Sequence, residues 1–296
     1  MGLFTGRRAT APSEPFTWTN TGLTPGQLAL LALAGPYQRG TGAVDTLADP
    51  EASGHGRRGV DRRIAQAWGI VDRPSALAMI ASLAQGMHAP VFDAVGEPAA
   101  MLAHALGTPD EPAARERCRE EVARRLAERA RPLMDELRTT GRHERLQKAE
   151  GSLDLEVGQR QQMAESFAEL LRSENGNAIP YPLPHTIWAW DIGRAANLVR
   201  IQHALGRLGE EESWQLLVEL GQQAARHHGS WAEYGMAHLA GRAFWLFTQG
   251  GTDRVDGEMK LGRETIDMLL GHPQGPWGRV PWVGSRPTIS GARTNG

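Results

Sequence analysis

Two arginines inside apolar helical stripes constrain this sequence more than any other feature. Between residues 185 and 245, apolar residues recur at steps of three and four, which predicts three consecutive amphipathic helices. Arg194 lies in the first stripe and Arg242 in the third, and a glycine precedes each of them. A buried charge without a partner is very costly, so both guanidinium groups need partners in a closely packed helical core. Asp191, one turn before Arg194, is the first candidate.

The composition favours helices over strands throughout the chain. Ala, Leu, Arg, Glu and Gln are abundant, whereas Ile, Tyr and Phe are scarce. Helix start signals recur: capping boxes run from Thr24 to Gln27 and from Ser230 to Glu233, and three glutamates occupy the first turn of a helix that begins after Gly209. The pattern places Trp214, Leu217 and Val218 on the apolar side of that helix. It also predicts a helix that ends at Gly69 and a short helix over 97–106. We predict an all-α fold, with a single irregular multi-helix domain of eight to eleven helices over residues 24–284 and at most a minor short hairpin. Disordered tails are expected at 1–23 and 285–296, with Trp18 a candidate for packing on the body.

The segment 111–172 differs sharply in composition from its surroundings. Arg and Glu dominate it, and many opposite charges stand three or four residues apart, which stabilises a solvated helix. We predict a charged helical insertion here, with a second long helix over 153–172 and a kink or break at Pro132. The evenly interleaved acids favour a solvated face over an RNA-binding or membrane-binding helix. The role of this segment is left open.

Size, charge and cysteine content set further expectations. The chain has 296 residues and a net charge of −2, which argues against broad nucleic-acid binding. The longest apolar run, 28–34, is far too short to cross a bilayer, and the N-terminus lacks a secretory signal, so we expect a soluble cytoplasmic protein. Cys118 is the single cysteine, which excludes an intramolecular disulfide. Its neighbours Arg117 and Arg119 could acidify the thiol, although a helical cysteine without a role is the favoured interpretation.

Short motifs between residues 60 and 282 form a recognisable set. They are Ala67-Trp68-Gly69-Ile70, Trp190-Asp191-Ile192-Gly193-Arg194-Ala195 with Arg200, the segment from Glu212 to Trp214, Ser230-Trp231-Ala232-Glu233-Tyr234, Gly241-Arg242 with Trp245, Pro276-Trp277 and Pro281-Trp282. In combination they resemble a bacterial family known only as domain of unknown function 1266, against which the charged segment looks like an insertion. The resemblance implies a helical domain and supplies no mechanism.

The candidate site is either a pocket or a buried structural network. It comprises Trp190, Asp191, Arg194, Trp214, Trp231, Tyr234, Arg242 and Trp245. Arginines on an aromatic floor could hold an anionic ligand through bidentate and stacking contacts. The favoured interpretation is structural, with Arg194 and Arg242 satisfying Asp191 and carbonyl groups at helix ends. No His-Glu-x-x-His or comparable ligand spacing is present, so neither a metal nor a cofactor is predicted.

Two functions from different classes remain. The first is a non-catalytic helical module that binds a partner protein, through the C-terminal tryptophans Trp277 and Trp282 or through the charged helices. The second is a small-molecule binder or enzyme that uses the centre formed by Arg194, Arg242 and the tryptophans. Phosphate-binding loops and serine-nucleophile motifs are missing from the sequence, which disfavours an enzyme without deciding the question. We expect no nucleic-acid or membrane partner, and the oligomeric state is open.

Overall fold

The computed structural model describes residues 16–38, 43–48 and 56–285, and helices form the regular secondary structure within these ranges. Their α-helices are α1 Pro25–Ala32, α2 Arg57–Trp68, α3 Arg73–Ala84, α4 Ala89–Ala105, α5 Glu111–Thr139, α6 His143–Arg172, α7 Trp188–Ala204, α8 Glu210–His227, α9 Trp231–Thr248, α10 Val255–Gly271 and α11 Pro276–Arg279. Short 3-10 helices occupy Gly35–Tyr37, Glu174–Gly176 and Thr252–Arg254. The described ranges contain no strand, only one isolated bridge between Thr17 and Ala43. The all-α prediction is confirmed, and these ranges do not contain the minor hairpin.

Local capping signals fix two of the helix starts. At α1 the Thr24 hydroxyl accepts a hydrogen bond from the Gln27 amide at 3.3 Å, and the Gln27 side chain accepts one from the Thr24 amide at 3.0 Å. At α9 the Ser230 hydroxyl accepts from the Glu233 amide at 3.2 Å. The Glu233 carboxylate, however, accepts from Gly229 N–H at 2.6 Å, so the predicted reciprocal bond to Ser230 is replaced by one to the residue before it.

The charged segment forms two long helices joined by a short turn. Helices α5 and α6 run antiparallel, because Arg119 pairs with Glu165 at 2.6 Å while the later Arg129 pairs with Glu156 at 2.8 Å. These exposed pairs confirm the predicted solvated face. Pro132 does not break α5, which continues to Thr139. Extensive packing of α5 along α4 and α6 offsets the one backbone hydrogen bond that proline removes.

Two helices begin earlier than the sequence predicted. Helix α4 starts at residue 89 rather than 97, and α6 starts at residue 143 rather than 153. The residue before α4, His88, makes no side-chain capping bond, so the sequence there lacks the usual signal for a helix start. The start of α6 follows Gly141, whose φ of 65° suits the end of α5. The buried residues of α6 begin at Ala164, so the apolar pattern marked only its later turns.

The described residues form two compact units. The first comprises the described residues of Met1–Ala84, Ile192–Tyr234 and Thr265–Gly296, and the second comprises Gln85–Asp191 and Gly235–Glu264. The core of the second unit contains Phe92, Phe167 and Phe244, which are buried and pack edge to face with ring centroids 5.2 to 6.3 Å apart. Such aromatic contacts add to the hydrophobic stabilisation of the core.

Part of the predicted N-terminal tail packs onto the first unit. Phe16 is buried, and the Asp45 carboxylate accepts hydrogen bonds from the backbone N–H groups of Thr19 and Asn20 at 2.9 and 2.7 Å. The Trp18 indole donates a hydrogen bond to the carbonyl of Gln274 at 2.9 Å, which agrees with the expected packing of Trp18 on the body of the protein. Residues 16–20 are therefore attached rather than free. Of the tails predicted for residues 1–23 and 285–296, residues 1–15 and 286–296 lie outside the described residues.

Residues 73–105 have a length and hydropathy that would suit a membrane span. Helix α3 ends at Ala84 and helix α4 begins at Ala89, so the stretch is divided into helices of 12 and 17 residues. A bilayer-spanning helix needs about 20 continuous apolar residues. Core helices of soluble proteins pass the same test of composition, so this stretch is weak evidence for a membrane span.

Candidate functional site

The buried carboxylate of Asp191 caps the start of α4. One carboxylate oxygen, Oδ2, accepts hydrogen bonds from the backbone N–H groups of His88 and Ala89 at 2.8 and 3.0 Å. The other, Oδ1, lies 3.0 Å from Nδ1 of the His88 ring. The first N–H groups of a helix lack partners within the helix, and a negative charge suits this positive end. Asp191 thus has a structural role in the second unit that the sequence did not predict.

Arg242 is paired, and the glycine before it allows two helices to approach closely. Its guanidinium forms a salt bridge with Glu258 on α10, with 14% and 23% of the two side chains exposed. A Cβ added at Gly241 would lie 2.2 Å from Cβ of Trp190 and 3.3 Å from Cβ of Ile187. No side chain fits there, so Gly241 is required by the contact between α9 and the start of α7.

Arg194 lies over an aromatic ring in the first unit. Its guanidinium carbon is 5.5 Å from the ring centroid of Trp68, the last residue of α2, and its side chain is almost fully buried. This distance is typical of a cation–π contact. Gly69 ends α2 with a φ of 67°, as predicted. Arg200, which follows Arg194 by six residues on α7 and is fully buried, donates to the carbonyl of Thr46 at 2.9 Å.

A second set of candidates belongs to an aromatic cluster of the first unit. Its members are Trp231, Tyr234, Trp277 and Trp282. Trp231 and Trp277 stack with centroids 5.4 Å apart and planes 8° apart. Trp277 donates its N–H to the carbonyl of Ala32 at 2.8 Å, and Tyr234 donates its hydroxyl to that of Leu33 at 3.0 Å. The polar atoms of Trp277 and Tyr234 are therefore engaged with backbone, and burial raises the pKa of Tyr234 well above its ordinary value.

Trp190 and Trp245 form a further aromatic pair in the second unit. Their ring centroids are 6.1 Å apart, and Trp190 contacts the ring of His238 edge-on at 5.1 Å. His238 in turn places Nδ1 3.3 Å from the carbonyl oxygen of Ala189. The eight candidates are thus divided between the units: the first holds Arg194, Trp214, Trp231 and Tyr234, and the second holds Trp190, Asp191, Arg242 and Trp245.

Most of the chain matches a known protein family. A family model, DUF1266, described as a protein of unknown function, matches residues 63–282. The chain belongs to the DUF1266 family. This confirms the predicted family, while a bacterial origin stays a prediction. Comparison with curated proteins gave no match, and comparison with solved structures gave none either.

Trp214 has a different environment from the other candidates of this DUF1266 protein. It lies in a shallow groove of the first unit, lined by Gln27, Glu210, Glu211, Trp214, Gln215, Val218 and Glu219. Trp214 is half-buried, and Val218, which the sequence placed on the apolar side of α8, is 44% exposed. No described residue forms a hydrogen bond or ring contact with the Trp214 indole. The groove therefore offers an aromatic and aliphatic floor to a binding partner.

The sequence missed two titratable groups whose pKa values burial changes. Burial raises the pKa of Asp93 to about 6, outweighing the opposite effects of Thr186, His185 and Arg125. Burial also lowers the pKa of His228 to about 4. No sequence signal marks either residue, because tertiary packing alone removes them from water. Within the described ranges, no group of His, Cys, Asp and Glu side chains could hold a metal ion.

Cys118 is buried, and its thiol is less acidic than an ordinary thiol. Burial raises its pKa to about 11, and the charge of Glu165 on α6 adds to this rise. The suggestion that neighbouring arginines acidify the thiol is therefore wrong, because the lowering effects of Arg119 and Arg115 are smaller than that of burial. The geometry agrees with the favoured interpretation of a helical cysteine without a chemical role.

Proposed function

We propose that this DUF1266 protein is a non-catalytic helical module that binds a partner protein, and that the groove beside Trp214 is its docking surface. The exposure of Trp214 carries the proposal. Trp231 binds the carbonyl of Val280 through its N–H, and Trp277 binds that of Ala32. Trp214 has no such partner among the described residues. Half-exposed tryptophans in grooves are typical anchors of protein interfaces, where a few large side chains provide most of the binding energy.

The contacts of the remaining candidates support structural roles for them. Asp191 satisfies the start of α4, and Arg242 pairs with Glu258. Removing a partner from such buried groups leaves an unsatisfied polar atom, so these residues are needed for folding whatever the protein binds. The buried network therefore serves folding, and the exposed groove serves docking.

The second function, binding of an anionic small molecule by the arginines, has less support. An anion at Arg242 would have to displace Glu258, and an anion at Arg194 would have to reach a residue that is only 6% exposed. A thermal-shift screen of anionic metabolites tests this function. Stabilisation that Arg242→Lys abolishes in a variant that still folds would favour a ligand-binding protein or an enzyme over a docking module.

Two matched variants test the proposed docking surface. Val218→Asp and Leu133→Asp each place a charge at an exposed apolar position, 44% and 52% exposed, but only Val218 lines the groove. We expect a partner that is captured from cell extract in stoichiometric amounts to be lost with Val218→Asp and with Trp214→Ala. The same partner is expected to be retained with Leu133→Asp. Equal capture by all three folded variants would contradict docking at this groove.

A further inference from the structure

We infer that the segment of the partner protein that occupies the Trp214 groove is cationic and amphipathic, with lysine or arginine side chains beside an apolar one. This inference rests on the proposed function and adds the chemistry of the partner. It follows from two independent properties of the groove. One is the charge around its rim, and the other is the apolar character and length of its floor.

The rim of the groove carries three carboxylates that pair with no cation among the described residues. Glu210, Glu211 and Glu219 are exposed, and none forms a hydrogen bond or ion pair with a described residue through its side chain. Their neighbour Glu212 is different, because Arg73 binds it at 2.5 Å. Acids in the first turn of α8 suit the positive helix end, which accounts for Glu210 and Glu211. Glu219 lies more than two turns further along, so the helix end does not explain it.

The floor of the groove is apolar and lies on one helix face. Trp214 and Val218 are four residues apart on α8, a spacing that brings side chains together. An indole face attracts an ammonium or guanidinium group, and flanking carboxylates strengthen this preference. From Glu210 to Glu219 the rim extends about 14 Å along the helix axis, at roughly 1.5 Å per residue. That length suits several residues of a peptide better than one small cation, and the negative rim repels nucleic acid.

Binding of two designed peptides to the full-length protein tests the inference. One peptide repeats lysine and leucine, and the other has glutamate in place of every lysine, with the leucines unchanged. Fluorescence anisotropy of the labelled peptides gives the affinity of each at low and high salt. We expect the lysine peptide to bind and to weaken as salt rises, because exposed charges are screened. The glutamate peptide is expected not to bind.

Matched triple variants locate the binding on the protein. The groove variant combines Glu210→Gln, Glu211→Gln and Glu219→Gln. The control variant makes the same change of charge on α5 and α6, where Glu120→Gln, Glu136→Gln and Glu144→Gln replace exposed carboxylates without a described partner. We expect about tenfold weaker binding of the lysine peptide to the groove variant, from three exposed charge interactions of ordinary strength. The control variant is expected to bind the lysine peptide as tightly as the wild type does.

Circular dichroism shows whether each variant folds, and the single variant Glu219→Gln tests binding without changing the helix end. Glu210 and Glu211 lie in the first turn of α8, whereas Glu219 lies outside it, so its replacement spares the helix end. A roughly twofold loss with Glu219→Gln alone supports the inference. Loss of affinity that is equal in the groove and control variants would overturn it, as would the failure of the lysine peptide to bind.

Two outcomes of the peptide experiment distinguish a failure of this inference from a failure of the proposed function. If both peptides bind equally well and Trp214→Ala weakens both, the preference for a cationic segment is wrong while docking at the groove stands. If the lysine peptide binds but neither Trp214→Ala nor the groove variant weakens it, the peptide binds elsewhere and the inference is overturned. The capture experiment with Val218→Asp decides the proposed function independently, because it uses the natural partner.

Discussion

Replacement of Asp191 by alanine and by asparagine should have very different effects on stability. In the wild type, Oδ2 alone accepts from both backbone N–H groups, of His88 and Ala89. An asparagine carbonyl can occupy the same place and keep both bonds, losing only the charge assistance, which makes such bonds about twice as strong. We expect Asp191→Asn to lower the free energy of unfolding by about 1–2 kcal/mol. Alanine leaves two buried N–H groups unsatisfied, so Asp191→Ala should cost about 3–5 kcal/mol.

Urea unfolding followed by far-ultraviolet circular dichroism measures both costs. Asp267→Asn and Asp267→Ala provide the control, because Asp267 is an exposed helical aspartate and its loss should change stability by no more than about 0.5 kcal/mol. Hydrogen exchange should show that the first turn of α4 opens more readily in Asp191→Ala. The capping account is refuted if Asp191→Ala unfolds like the wild type, or if asparagine is as damaging as alanine.

Three further predictions concern packing and ionisation. Gly241→Ala should lower the free energy of unfolding by about 1–3 kcal/mol through overpacking, while Gly257→Ala, which has open space around it, should be neutral or stabilising in the same urea assay. The rise in the pKa of Asp93 from 3.8 to about 6 means that ionisation costs the folded state up to about 3 kcal/mol above pH 6, and nothing below the unfolded pKa. Asp93→Asn should therefore stabilise the protein at about pH 8 and lose that advantage near pH 4; a difference independent of pH would contradict this. Cys118 should resist a thiol-specific disulfide reagent at neutral pH until the protein unfolds, whereas rapid reaction in the native state would contradict its burial.

Local sequence signals predicted most of the helix ends. The Thr24 capping box, the left-handed Gly69 and the acidic first turn of α8 each act within a few residues, so their effects can be read without knowledge of the fold. For the same reason, the pairs of opposite charges in the segment 111–172 predicted two solvated helices. The start of α4 was missed because its cap, Asp191, comes from a residue 102 to 103 positions away in the chain.

The sequence identified the residues of the candidate site but not the groups that they contact. The apolar stripes identified Arg194 and Arg242 as charges that need partners, but Trp68 and Glu258 became visible only with the fold. Trp214 and Trp231 are both tryptophans, and the apolar periodicity placed both of them on apolar helix faces. What distinguishes them is whether another element covers the face, which depends on tertiary packing.

Photo-cross-linking at the groove is the direct test of docking beside Trp214. A benzophenone amino acid is placed at position 218, within the groove, or at position 155, where Leu155 is 71% exposed on α6. Illumination in cell extract should join the partner to the protein from position 218 and not from position 155. Cross-linking of the partner from position 155 alone, or to the same extent from both positions, would contradict docking at the Trp214 groove.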